Sequence, residues 1–280
     1  MKIFLLIMYL FAMFFISFSS PSLLSALEEN LLLVDQNITK GVVSIAAINS
    51  ITAGPNCTID GADVTFVAGT EITLQSGFCV RVGSSFRASL GYMNGYTVND
   101  TELWEERKYI QGNLDIQPSG LLTLLPGCEV VFIADNYGII KVFGKFTVNG
   151  GVLKGSGFIP GSWKGIIVEG SGDCYLKGTA IENAQQGVVV KSGAQVTIEE
   201  CILKNNLIGL HAHGGMPVIR NSHFINNEWY GIKEDAGGRP QEIQENVFSE
   251  NGHNYYHEGL GVISINHLNT LSGNWGNVEE

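Results

Sequence analysis

A repeat of 22 residues limits the fold of this chain more than any other feature of its sequence. The segments that align are WKGIIV (163–168), QQGVVV (185–190), LIGLHA (207–212) and WYGIKE (229–234). Their glycines are three successive steps of 22 apart, at Gly165, Gly187, Gly209 and Gly231. Repetition at such a step is typical of solenoids, in which each turn buries its apolar face against the next turn.

Within each repeat the apolar pieces are short, as in β-strands, and too short for helices. We therefore predict a coil of parallel strands, each pairing with its equivalent about 4.8 Å away along the axis. We expect the repeated glycines to supply positive φ at sharp corners. Asn183, Asn205 and Asn227 recur at the same step, and we expect their amides to stack as a corner ladder. The Leu-x-x-Leu-x-Leu signature of leucine-rich repeats is absent from these copies.

The repeat also suggests how the chain is divided. Upstream, Ile51-Thr52 recurs as Ile72-Thr73, which predicts a stacked-strand segment over 27–91. The polar stretch 92–108 is expected to be a linker or surface loop. We predict the main coil over 109–265 and a C-terminal tail over 266–280.

The first 26 residues have the pattern of a secretory signal peptide. A short basic start is followed by an apolar run over 3–18 and then by the small-residue stretch SSPS. An uncleaved membrane anchor is the alternative, for which the run is slightly short. We predict a secreted or cell-surface protein with no membrane span after the leader is removed.

Charge and composition narrow the possible partners. Lys and Arg number 16 against 27 Asp and Glu, a formal net charge of −11, which disfavours nucleic acid as a partner. The five cysteines are odd in number and widely spaced, so we interpret them as small buried apolar residues, not as a disulfide scaffold. No motif indicates a cofactor, and we predict none.

Two stretches resemble known families. The phrases VTFVAG (64–69), ITLQSGF (72–78) and GSSFRA (83–88) resemble a stacked-strand module of secreted Bacteroidetes surface proteins. The phrases LTLLPG (122–127) and GSWKGI (161–166), with the repeats, resemble the right-handed parallel β-helices of the pectate-lyase-like superfamily. The resemblance implies an all-β fold, a right-handed parallel β-helix preceded by a short stacked-strand segment. It says little about function, since this superfamily holds lyases, hydrolases, adhesins and proteins without known activity.

Adding 22 to a position predicts which side chains become neighbours. If Ile166, Val188, Leu210 and Ile232 point inward, alternation sends two columns outward. These columns contain Glu169, Lys191, His213 and Asp235, and Ile167, Val189, His211 and Lys233. Two carboxylates among lysines do not suit calcium, and no third ligand is evident beside the two histidines, so we predict no metal. The columns fit a binding face, an active site or a solvated face.

A second candidate surface is an apparent insertion at 252–258. It carries His253, Tyr255, Tyr256 and His257, and Trp229-Tyr230 are expected at the corner one turn below. Aromatic rings on a rigid coil suit sugar binding, although the same rings could cover the open end of the coil.

We therefore predict an exported, non-catalytic β-helix protein that binds glycans or other cell-surface polymers, or serves as a structural or adhesive shaft. The resemblance implies an alternative, a polysaccharide lyase or glycoside hydrolase, for which no catalytic constellation is recognised in the sequence.

Overall fold

The computed structural model describes residues 30–47, 49–133, 138–156, 159–258 and 269–271, and all its regular elements are β-strands. Every pair of named strands is parallel, and the strands form two coils. Among these residues no helix has the length and apolar character needed to cross a bilayer. The predicted leader, 1–26, lies outside the described residues.

The first coil, called the N-terminal stack, has three turns of three strands each. Equivalent strands form the sheets β1-β4-β7, β2-β5-β8 and β3-β6-β9. The strands are β1 (Asn30–Leu33), β2 (Asn37–Ile38), β3 (Gly41–Ala47), β4 (Ser50–Ala53), β5 (Thr58–Ile59), β6 (Ala62–Ala68), β7 (Glu71–Leu74), β8 (Cys79–Val80) and β9 (Ser85–Leu90). Ile51 pairs with Ile72, which confirms the stacking predicted from their recurrence.

The second coil, called the main coil, has three faces. Face A contains β10 (Met93–Val98), β12 (Lys108–Ile116), β15 (Ile139–Val142), β18 (Trp163–Val168), β21 (Ala184–Lys191), β24 (Ile208–His213), β27 (Tyr230–Asp235) and β30 (His253–His257). Face B contains β11 (Thr101–Trp104), β13 (Leu121–Leu124), β16 (Lys145–Asn149), β19 (Asp173–Lys177), β22 (Gln195–Glu199), β25 (Val218–Arg220) and β28 (Glu242–Gln244). Face C contains β14 (Glu129–Phe132), β17 (Val152–Gly155), β20 (Ala180–Glu182), β23 (Ile202–Lys204), β26 (His223–Ile225), β29 (Val247–Ser249) and β31 (Thr270–Leu271), and the start of β12 pairs with β14.

The apolar core of the main coil lies between the three faces. Ile166, Val188, Leu210 and Ile232 are fully buried, which confirms the predicted inward column. A smaller cluster of Val67, Tyr109, Val131 and Ile133 packs side chains of the N-terminal stack against the main coil.

The prediction of a linker or loop over 92–108 is wrong. This segment holds β10 and β11, which pair with β12 and β13 and form the first turn of the main coil. Val98 and Trp104 are buried in the core, while the charged residues occupy outward positions and a short bend. The C-terminal tail is also partly strand, because β31 pairs with β29.

The conserved spacing of the glycines has a different cause from the one expected. Gly165 does have positive φ, at 103°. Gly187, Gly209 and Gly231 instead lie within strands, outside the positive-φ group. A Cβ on each would come within 2.4 to 2.6 Å of the carbonyl oxygen of the next turn. Close approach of backbones, and not corner geometry, requires glycine at these three positions.

The asparagine prediction combined two different columns. Asn183 and Asn205 have positive φ, 63° and 55°, as does Asn226 at 51°. Asn227 belongs to the adjacent, buried column, where its Oδ1 accepts from Asn206 Nδ2 at 3.1 Å. One turn is 21 residues long at this point, so a constant step of 22 crosses from one column to the next.

Candidate functional site

The outward side of face A, at its C-terminal end, brings both predicted surfaces together. His211 pairs with Lys233 and His213 with Asp235 across β24 and β27. Lys233 in turn pairs with Tyr256 on β30. The charged columns and the aromatic residues therefore form one continuous surface, which we call the C-terminal patch.

Asp235 is the centre of the polar half of this patch. Its Oδ2 lies 2.8 Å from His211 Nε2 and 2.9 Å from Lys233 Nζ, and its Oδ1 lies 2.5 Å from His213 Nδ1. The His211 side chain is 10% exposed and that of His213 is 40% exposed. The cluster is therefore embedded on one side and open to solvent on the other.

The charges of this cluster support one another. Burial alone would raise the pKa of Asp235, but Lys233, His211 and His213 hold it well below its ordinary value. Burial lowers the pKa of His211, and the nearby carboxylate opposes this only in part. Burial also acts to lower the pKa of Lys233, but Asp235 raises it overall. At neutral pH the cluster thus holds an ionised carboxylate, a charged ammonium and a neutral His211.

The aromatic half of the patch is a cluster of rings on β27 and β30. The ring centroid of Tyr230 lies 4.9 Å from that of Tyr256 and 5.5 Å from that of His253. Trp229, which precedes Tyr230, is 49% exposed. These rings offer an apolar platform directly beside Lys233 and the histidines.

The predicted insertion at 252–258 is wrong as a loop, because β30 occupies His253–His257 and continues face A in register. Ile232 pairs with Tyr255, which is accordingly buried. The Tyr255 hydroxyl donates to the carboxylate of Glu234, and His257 Nδ1 lies 2.6 Å from Glu234 Oε2. Tyr255 and His257 therefore belong to the interior end of the coil, not to the C-terminal patch.

Two of the predicted column residues lie at the margin. Lys191 pairs with His213. Glu169 directly follows the end of β18, and the pairing of β18 with β21 ends one residue earlier, at Val168 and Val190. Ile167 and Val189 are in register with His211 as predicted and supply an apolar strip below the cluster.

Gln186 is a site residue that the column arithmetic missed. Its Oε1 lies 2.8 Å from His211 Nδ1. The two residues are 25 apart, because the histidine ring reaches diagonally across the strands, and no multiple of the repeat indicates this contact.

Residues 164–275 match a family model described as a right handed beta helix region. No match was found among curated proteins or among solved structures.

Proposed function

We propose that this right-handed parallel β-helix protein binds glycans on the C-terminal patch without cleaving them. The observation that carries the proposal is the ring cluster of Tyr230, His253 and Tyr256 beside the charged groups around Asp235. Sugars present C–H faces that pack on aromatic rings and hydroxyls that need donors and acceptors. The patch offers both kinds of contact side by side.

The rigid coil also supports this proposal. Each side chain of the patch projects from a strand that pairs with strands of neighbouring turns, so its position is set before any ligand arrives. Binding to such a surface orders few side chains and therefore carries a small entropic cost. Successive turns about 4.8 Å apart present a line of contacts to an extended polymer.

Binding without cleavage follows from the charges of the patch. Acid–base cleavage of a glycosidic bond generally uses two carboxyl groups. The polar cluster presents one, Asp235, and two histidines and a lysine already surround it. In this proposal the carboxylate orients its cationic neighbours toward sugar hydroxyls.

We further propose that the protein acts outside the cytoplasm, as a secreted or surface-attached binding module. The support is the signal-peptide pattern of the first 26 residues. N-terminal sequencing of the protein recovered from the culture medium or envelope should begin near residue 27. Recovery of the full-length chain from the cytoplasm alone would contradict export.

An array of neutral and acidic oligosaccharides tests the binding proposal. Trp229→Ala and Tyr256→Ala should each lose signal for glycans that the wild type binds. Tyr175→Ala is the matched control, because Tyr175 lies on face B, where its hydroxyl donates to Glu199. Equal signals from all four proteins would contradict the site. Mass spectrometry of the incubated glycans separates the two functions, since shortened products would show a lyase or hydrolase.

A further inference from the structure

We propose that His211, His213 and Asp235 form a binding site for a divalent transition-metal ion of the zinc class. The inference goes beyond glycan binding and does not depend on it, because the ring cluster contributes no ligand. The sequence analysis predicted no metal since a third ligand was not evident. The structure supplies that ligand by placing Asp235 opposite His213.

The donor atoms are close together and suited to such an ion. One ligand atom from each residue lies within 4.8 Å of the other two. Two imidazole nitrogens and one carboxylate are a common zinc set, which leaves a further position open. The 40% exposure of His213 indicates the side from which an ion and its fourth ligand would enter.

Gln186 sets His211 in the tautomer that a metal needs. An N–H on His211 Nδ1 can donate to Gln186 Oε1 at 2.8 Å, which leaves the lone pair on Nε2. This outer hydrogen bond is characteristic of metal-binding histidines. Nε2 is buried, and although Asp235 Oδ2 is 2.8 Å away, it makes no hydrogen bond of good geometry within the described part of the chain.

The required movement is small. Bonds of about 2.0–2.2 Å to a tetrahedral zinc ion place ligand atoms about 3.3 Å apart. The present separations from Asp235 are 2.8 Å to His211 Nε2 and 2.5 Å to His213 Nδ1. Small side-chain rotations would therefore admit the ion, while β24 and β27 hold the backbone in place.

Lys233 is the competitor already in place. Its ammonium lies 2.9 Å from Asp235 Oδ2 and neutralises the carboxylate that the metal would use. Removing this charge should strengthen metal binding, whereas a cluster that serves only as a surface ion network would gain nothing from it.

The test is a titration of the full, untagged chain, after chelation, with Zn²⁺ and with Co²⁺ as a visible-absorbing probe. A Cys79→Ser background removes the exposed thiol, which could itself bind zinc. We expect one Zn²⁺ per chain in competition with a chromophoric chelator. The Co²⁺ absorption should become that of a low-coordinate protein site, and Ca²⁺ in excess should not displace the ion.

Variants show whether the ion lies where proposed. His213→Ala and Asp235→Asn should weaken Zn²⁺ binding at least about 10-fold, and Gln186→Ala, which removes no ligand, about 10- to 100-fold. Lys233→Met should tighten binding. His223→Ala, an exposed histidine on face C, is the control and should bind as the background protein does. Circular dichroism confirms that each variant is folded.

The proposal is overturned if the background protein leaves the Co²⁺ spectrum unchanged. It is equally overturned if folded His213→Ala and Gln186→Ala bind Zn²⁺ as tightly as His223→Ala does. Neither result would affect the glycan-array comparison of Trp229→Ala and Tyr256→Ala.

Discussion

The side-chain amide of Asn206 donates to Oδ1 of Asn227, 21 residues later, at 3.1 Å. The Asn227 amide continues the ladder by donating to Asn251 Oδ1 at 2.8 Å and to the Leu203 carbonyl at 3.0 Å. All three asparagines are buried. The ladder therefore satisfies the backbone and side-chain polar groups of one corner over three turns.

Asn227→Ala should destabilise the protein strongly, because it removes the middle rung of this ladder. The N–H and the amide of Asn206 would both lose their acceptor. We expect the free energy of unfolding to fall by roughly 2–4 kcal/mol, since buried unpaired polar groups are costly. Denaturant unfolding followed by circular dichroism measures this change.

Asn205→Gly is the matched control. Asn205 has positive φ, which glycine adopts freely, and its printed partner is the exposed amide of Asn226. We expect a change within about 0.5 kcal/mol, as for most surface substitutions. A larger loss for Asn205→Gly than for Asn227→Ala would contradict the two-column description of this corner.

Gly209→Ala tests the close approach of neighbouring strands. The added Cβ would lie 2.5 Å from the Gly231 oxygen and 2.9 Å from Phe224 Cδ1. We expect the melting temperature to fall, with a loss of roughly 3 kcal/mol from overpacking. Gly127→Ala, where only the positive φ of 85° opposes a side chain, should cost about 1 kcal/mol. A smaller effect at Gly209 than at Gly127 would refute the steric explanation.

The repeat could predict which turns are neighbours but not why each repeated residue is there. A period of 22 correctly places Val188 beside Leu210, because parallel strands in a coil preserve register. It cannot distinguish a glycine needed for φ from one needed for space, since both leave the same spacing. It also fails where a turn is 21 residues long, which is why Asn205 and Asn227 were assigned to one column.

Tyr255→Phe should destabilise the C-terminal end of the coil. Glu234 has no exposed side-chain surface, and the variant removes the hydroxyl that donates to its carboxylate. We expect a loss of roughly 2 kcal/mol, measured by denaturant unfolding. Tyr175→Phe removes the same kind of bond, to the partly exposed Glu199, and should cost under about 1 kcal/mol. Equal losses in the two variants would show that burial of Glu234 adds nothing.

The cysteines should differ sharply in reactivity. Burial raises the pKa of Cys201 to about 11 and raises that of Cys174 further, so their thiolates are scarce at neutral pH. Cys57 and Cys128 are also buried, whereas Cys79 is exposed. Brief maleimide labelling of the native protein should modify Cys79 alone among the five, as read by peptide mass spectrometry. Rapid native labelling of Cys174 would contradict its buried position.

The candidate site was predicted in part. Column arithmetic correctly brought His211, Lys233, His213 and Asp235 together, since their strands are in register at 22. The pattern at 252–258 was interpreted as a loop because its apolar positions are occupied by tyrosine and histidine. A buried Glu234, which pairs with Tyr255 and His257, explains how such a polar segment can form an inner strand.

The most direct test of the proposed function is calorimetric titration of one array-positive oligosaccharide into four proteins: wild type, Tyr230→Ala, Tyr256→Ala and the double variant. Because the two rings are 4.9 Å apart, they should act on the same sugar. We expect each single variant to weaken binding, and the double variant to lose less than the sum of the two losses. Unchanged affinity in the double variant would contradict glycan binding on this patch.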